Sequence, residues 1–337
     1  MGTQLGPLII SKTISTEDLV NKKLVVDTYN MLYQFLTTIR QADGSLLTDT
    51  HGRITSHLSG LFFRTANLLK YNIKLAFVFD GKSPDLKKEE RDRRAQIKIE
   101  AGRKYELAAS EGDLELMKKY ASRTAILTKE MVEESKELIR AMGQPVIAAP
   151  SEGEAQAAYM VKKGDFYGLV SQDMDGLLFS SPVLIRNLSV SGKRKKAGTY
   201  EKTYPELISL AENLNGLGIN IDQLIVIGIL CGTDFNIGGV KGIGPKKALS
   251  LVKRHGNDFD ALFKELNWEF KYSWKEVYTT IKNMPVTDNP SLKWSNIDQN
   301  KIYRLFVEKY DFSKERIERA LDEITKQQTQ KGLAEFY

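Results

Sequence analysis

An α/β protein, with a mostly parallel sheet flanked by helices and a helical second half, is the fold class that three features of the sequence predict. Short apolar runs alternate with helix-period segments up to about Asp175, and such alternation builds parallel sheets. Three of those runs close on an aspartate, at Asp27, Asp80 and Asp173. Beyond about residue 205 only helical patterns recur.

Taken in order, Lys22–Asp27 is the first predicted strand and Ile73–Asp80 the second, followed at once by Gly81. Between them Leu58, Leu61, Phe62, Ala66 and Leu69 recur at helical spacing, which predicts a helix over Ser56–Tyr71. From Ser83 to about Thr128 apolar content falls and charge rises. Without a wide apolar stripe to bury, this segment is expected to form one or two helices projecting from the body. A strand at Gln144–Ala149, a helix from about Glu152 to Lys163 and a strand at Tyr167–Ser171 follow. Ile221–Cys231 and Pro245–Arg254 are predicted helices, with further helices towards the C-terminus. Neither a linker nor an internal repeat is visible.

Composition narrows the function classes. The hydrophobic share, 42%, is that of an ordinary globular protein. No stretch approaches the roughly 20 apolar residues of a membrane span. The first residues lack a basic segment followed by an apolar one, so a secretory leader is not expected. Gly6 stands where a myristoylation signal needs Ser or Thr. The single cysteine, Cys231, permits no intramolecular disulfide or cysteine-based zinc site. His51, His57 and His255 are scattered, which argues against zinc or Ser-His-Asp catalysis and suits a cytosol-like compartment. The net charge of +6 and pI near 9.0 suit a polyanionic partner. Residues 87–104 hold eight Lys/Arg against four Asp/Glu. Lys193-Arg194-Lys195-Lys196 and the group Lys241, Lys246, Lys247, Lys253 and Arg254 add two more basic clusters. Clustering of this kind is the footprint of nucleic-acid binding.

Ligand crevices of open α/β sheets lie at the carboxyl ends of the strands, so Asp27, Asp80 and Asp173 are expected to converge. Asp175 lies two residues beyond Asp173, on the same side of an extended segment. Glu152 and Glu154 sit at a strand-to-helix junction facing the same crevice. So many acids repel unless a cation intervenes. Mg²⁺ takes oxygen ligands and keeps sites open for phosphate. Ser151-Glu152-Gly153-Glu154 also fits a capping box, with Ser151 as N-cap and Glu154 at N3.

Five motifs then occur together and in order: Val25-Val26-Asp27 running into Tyr33-Gln34-Phe35-Leu36; Phe77-Val78-Phe79-Asp80-Gly81; Ala149-Pro150-Ser151-Glu152-Gly153-Glu154-Ala155; Ser171-Gln172-Asp173-Met174-Asp175; and Gly232-Thr233-Asp234 followed by Gly242-Ile243-Gly244-Pro245-Lys246. On these residues the chain resembles the flap endonucleases of the 5′-nuclease superfamily, from Gly2 to Tyr337. The resemblance implies a PIN-like 5′-nuclease core that cuts branched DNA at 5′ flaps and nicks, with some 5′ exonuclease activity. It adds Asp234 to the metal set, and so implies seven ligands for two Mg²⁺ ions, with Mn²⁺ a possible substitute. Gly153 stands where many members have Ala, which is expected to loosen that helix's first turn.

The resemblance further implies a helical arch over 81–130. Lys87, Arg91, Arg94 and Lys98 there follow the i, i+4, i+7, i+11 spacing of one helix face. In the family, residues matching Lys87 and Arg94 contact the scissile phosphate, and the match to Tyr33 stacks on a base near the cut. A helix–two-turn–helix over 221–256 is implied to grip duplex DNA through Gly242, Gly244, Lys246 and Lys247, with a monovalent cation on its turn carbonyls. Gln330, Leu333, Phe336 and Tyr337 match a sliding-clamp interaction box over 329–337. The implied organisation is a nuclease region over 1–100, an internal nuclease region over 131–260 and a helical part over 261–328. A monomer without membrane association is expected, cytoplasmic and nucleoid-associated if archaeal, as the missing basic tail suggests, and nuclear if eukaryotic. The residues leave two rivals open: a sister 5′-nuclease such as a junction resolvase or exonuclease, and a non-catalytic clamp-recruiting DNA-binding scaffold.

Overall fold

The structure, a computed structural model, describes residues 3–41, 43–121, 124–188, 193–196 and 199–334. Its strands are β1 (Lys12–Thr13), β2 (Lys23–Asp27), β3 (Lys74–Phe79), β4 (Val146–Ala148), β5 (Gly168–Val170), β6 (Val183–Arg186), β7 (Lys193–Lys196), β8 (Thr199–Lys202) and β9 (Glu206–Ser209). Seven of them form one sheet in the order β1-β9-β6-β5-β2-β3-β4, and β7 pairs with β8 in a separate hairpin. From β6 to β4 every pairing is parallel, whereas β9 and β1 add on antiparallel. The sheet is therefore mostly parallel, with an antiparallel edge.

Central strands buried on both faces read as continuous apolar runs. Leu24 and Val26 of β2 point into one core with Phe77 and Phe79 of β3, and Val25, Ala76 and Val78 point into a second core across the sheet. The first core is covered by α1 (Thr28–Thr38) and α2 (Ser56–Leu69). Next come α3 (Lys88–Glu111), α4 (Leu114–Ala121) and α5 (Lys129–Ala141). As its composition predicts, the 24-residue α3 buries only Glu90, Ala101 and Ala108. The second core takes α6 (Gly153–Lys162), α7 (Asp175–Leu178), and α9 (Ile221–Cys231), which follows α8 (Leu210–Leu217). α10 (Pro245–His255), α11 (Phe259–Lys264) and α12 (Trp274–Lys282) pack beyond α9, joined by the Phe263–Trp274 ring stack at 4.5 Å. α13 (Gln299–Tyr303) runs into a π-helical stretch, Arg304–Lys309, before α14 (Lys314–Ala334). Among the described residues no single helix is long and apolar enough to cross a membrane.

Five strands depart from expectation. β1, β6, β9 and the β7–β8 hairpin are not predicted, and β9 lies where only helices are expected. These strands have two to four residues, too few to set up a period. β6 and β9 are held by register and by the Arg186–Glu206 ion pair at 3.6 Å, neither visible in local sequence. The basic stretch Lys193–Lys196 forms β7.

Candidate active site

Strand ends deliver the acids. Asp27 closes β2 and caps α1, its Oδ1 accepting from the Asn30 N–H at 3.2 Å. Asp80 follows β3, and its Oδ1 accepts from the Gly153 N–H at 2.7 Å. A Cβ at position 153 would lie 2.6 Å from that oxygen, so glycine admits the bond. This turn is tied to the sheet rather than loosened. Ser171 Oγ bridges Glu154 Oε1 at 2.7 Å and Asp27 Oδ2 at 3.3 Å. Asp173 Oδ2 accepts from Asn30 Nδ2 at 2.9 Å. Asp175 Oδ1 accepts from both the N–H and the hydroxyl of Thr3, each at 2.6 Å.

The capping-box reading of Ser151–Glu154 does not hold. Glu152 is the N-cap of α6 and makes no side-chain cap bond. Ser151 Oγ donates to the Lys82 carbonyl instead, and Glu154 turns to Ser171. The start of α6 is served from outside by Asp80, which frees both glutamates to face the crevice.

Asp234 lies just beyond α9, in a turn where Asn236 accepts from the Thr233 hydroxyl at 2.7 Å. Two cations from the base of α3 reach into the acids. Lys87 Nζ is 2.5 Å from Glu152 Oε2 and 3.2 Å from Asp234 Oδ2. Arg94 Nη2 donates to Asp234 Oδ1 at 2.8 Å.

The seven acids form one electrostatic network. Burial, then Asp80, pushes Asp27 well above the usual carboxylate range. Burial, then Asp27, does the same to Glu154. Burial raises Asp80 against the Gly153 N–H, and raises Glu152 against Lys87. Asp175 is pushed up to about 6 by burial, despite both bonds from Thr3. Burial alone would depress Lys87, but Glu152 and Asp234 outweigh it and hold its ammonium above the ordinary value. The crevice thus sets seven carboxylates against two cationic side chains. Among the described residues no three acids, histidines or cysteines already close into a metal-ligand cluster. Oxygens of the seven acids are instead taken up by contacts from Thr3, Asn30, Ser171, Gly153 and Lys87. Their donor set, carboxylate oxygen throughout, fits hard divalent cations.

Around the crevice, Tyr33 of α1 is 37% exposed, with Lys98 Nζ 4.8 Å from its ring centre. Arg91 is exposed on α3. Lys87 belongs to a 3₁₀ turn ahead of α3, so the expected single face begins one element early. Between α9 and α10, Gly242 adopts φ +76°, a left-handed conformation that disfavours side chains. Gly244 is the N-cap of α10 with open space where a side chain would be, and Lys246 and Lys247 are exposed beside it. Gln330 and Leu333 fall within α14, while Phe336 and Tyr337 lie outside the described residues. Sequence reasoning missed Thr3, Asn30 and Ser171. Only Asn30, three residues after the helix-capping Asp27, carried a local signal.

The model of the XPG N-terminal domain matches residues 3–101 and that of the XPG I-region matches residues 143–234. Flap endonuclease 1 of Hyperthermus butylicus is 47% identical over 97% of this chain and 95% of the relative. That of Pyrococcus abyssi is 48% identical over 97% and 94%. Among solved structures, the flap endonuclease-1 from Methanococcus jannaschii superposes with a TM-score of 0.77 at 42% identity, covering 98% of this chain and 100% of that one. The catalytic core of Rad2 in complex with DNA substrate shares the fold, with a TM-score of 0.71 at 23% identity over 96% and 100% of the two chains.

Proposed function

This chain belongs to the flap endonuclease family, and from that premise we propose how its crevice carries out the reaction. It is a structure-specific nuclease that hydrolyses DNA at flaps, in replication and repair. The finer reading is a nuclease that cuts 5′ flaps and nicks, depends on two Mg²⁺ ions and releases products with a 5′-phosphate and a 3′-hydroxyl. The observation that carries it is the charge imbalance of the crevice, seven carboxylates, six of them buried or half-buried, answered by Lys87 and Arg94.

Asp27, Asp80, Glu152, Glu154, Asp173, Asp175 and Asp234 would hold the ions, Mn²⁺ serving as a substitute. When bound, such a pair supplies an acidified water and charge balance for the leaving oxygen. Lys87 and Arg94 stand beside the same acids, so a phosphodiester presented there meets two positive side chains. Their part is to stabilise charge building on its non-bridging oxygens. Tyr33, exposed beside the crevice, offers a base near the cut a surface worth about 1–3 kcal/mol of stacking. α3 and α4 are read as the arch over a 5′ single strand, with Arg91 and Lys98 along its basic face. The glycine turn before α10 leaves backbone N–H groups free to approach a duplex phosphate, with Lys246 and Lys247 flanking. A monovalent cation on its carbonyls and a sliding clamp on Gln330, Leu333, Phe336 and Tyr337 complete the reading, for a monomer working in the cytoplasm.

The test is cleavage of an end-labelled 5′-flap duplex by Asp173→Ala in Mg²⁺. The rate is expected to fall at least about 100-fold, since several kcal/mol of charge stabilisation are removed. Near-normal cutting would sink the metal-site assignment.

A further inference from the structure

α3 is the most charged and least buried of the long helices, yet its residue Glu90 is only 4% exposed. Carboxylates are almost never so covered unless paired. Glu90 is paired three times over. Arg93 Nε donates to Oε2 at 2.7 Å and Arg93 Nη2 to Oε1 at 2.8 Å, while Arg94 Nε donates to Oε1 at 2.6 Å. An exposed i,i+4 pair contributes little, and helix stability does not call for a buried one.

The geometry around Arg94 gives the arrangement a purpose. A guanidinium is a rigid plane, so fixing one edge aims the other. Glu90 takes only the Nε of Arg94, and the Nη2 edge is thereby directed at Asp234 Oδ1, 2.8 Å away. Arg93, with a two-point fork on Glu90, keeps the carboxylate from turning. If Asp234 is engaged elsewhere, the Glu90 bond alone still holds the guanidinium over the crevice. We propose that Glu90 is a positioning residue for Arg94, holding its guanidinium over the crevice for the phosphate, with Arg93 as the side chain that steadies Glu90. The proposal rests on the phosphate role read for Arg94 above.

A double-mutant cycle tests it: Glu90→Gln, Arg94→Ala and the pair, measured as single-turnover cleavage of a 5′-flap duplex and as equilibrium binding of that duplex. Glu90→Gln is expected to slow cleavage about 10- to 100-fold, as misplacement of a reacting group does, with binding changed less than about twofold. In the Arg94→Ala background the same change is expected to have no further effect, because coupled residues are not additive. A purely structural Glu90 would lower the rate equally in both backgrounds, and that result overturns the proposal. Normal cleavage by Arg94→Ala would overturn the phosphate role and this proposal together. If Glu90→Gln does not fold, Arg93→Gln, which releases one side of the same carboxylate, replaces it in the cycle with the same two outcomes.

Discussion

Lys87 occupies the centre of the crevice as a counter-ion, wedged between Glu152 and Asp234. It and a divalent ion claim the same oxygens. Lys87→Met should therefore tighten Mn²⁺ binding to the DNA-free protein by roughly tenfold, about 1.4 kcal/mol, while slowing cleavage by about 10²-fold through loss of a phosphate cation. Calorimetric titration measures the first and single-turnover kinetics the second; unchanged or weaker Mn²⁺ binding would show that the ammonium does not compete. At this scale legibility follows distance. Asp27, Asp80 and Asp173 were readable because each ends or closely follows an apolar strand. Asp234 was not, since it follows a helix, and only the family pattern reached it. Thr3 and Ser171 act on residues 172 and 17 positions away, and Glu90 is one acid in a crowded charge run.

At the scale of elements, α2, α5 and the π-helical stretch meet at one buried acid. Glu134 of α5 accepts from Lys309 Nζ at 2.9 Å and from the Tyr310 hydroxyl, with His57 Nε2 of α2 3.5 Å from its other oxygen. Burial would raise Glu134, but the adjacent His57 ring and the bonds from Tyr310 and Lys309 outweigh it and bring the carboxyl from 4.5 to about 2. A depressed folded value means stability that is present above the unfolded value and is lost as pH falls from 4.5 towards about 2. The contribution is on the order of 3 kcal/mol. Glu134→Gln should lose this margin at neutral pH and show a flatter fall in acid. Denaturant unfolding of both proteins at about pH 7 and pH 3 checks it, and parallel curves would remove Glu134 from the account. None of this junction was legible in sequence. His57 and Glu134 are separate helical residues until α2 and α5 pack, and a π-helical turn has no local signature at Arg304–Lys309. The central strands were legible, because burial on both faces writes itself as an unbroken apolar run, and α2 was legible by its helical spacing, whereas α5 was not foreseen.

For the molecule as a whole, the reading extends to a tail beyond the described residues. Phe336→Ala with Tyr337→Ala should remove the rise in flap cleavage that a sliding clamp produces, because an aromatic plug carries most of such an interface. Rates measured with and without added clamp decide it. A stimulated rate that survives both substitutions would move the clamp contact elsewhere.

The crevice also sets an order of events for a growing chain. Its acids come from positions 27 to 234, and Thr3 fastens onto Asp175. A nascent chain must release 234 of its 337 residues before the last acid can arrive. Contacts so distant in sequence form late, after the costs of closing long loops have been met. The pairing of β2, β3 and β4 needs only the first 148 residues and already carries Asp27 and Asp80, so two acids can be mounted well before the last is made. The protein is built to become a nuclease only when most of it already exists.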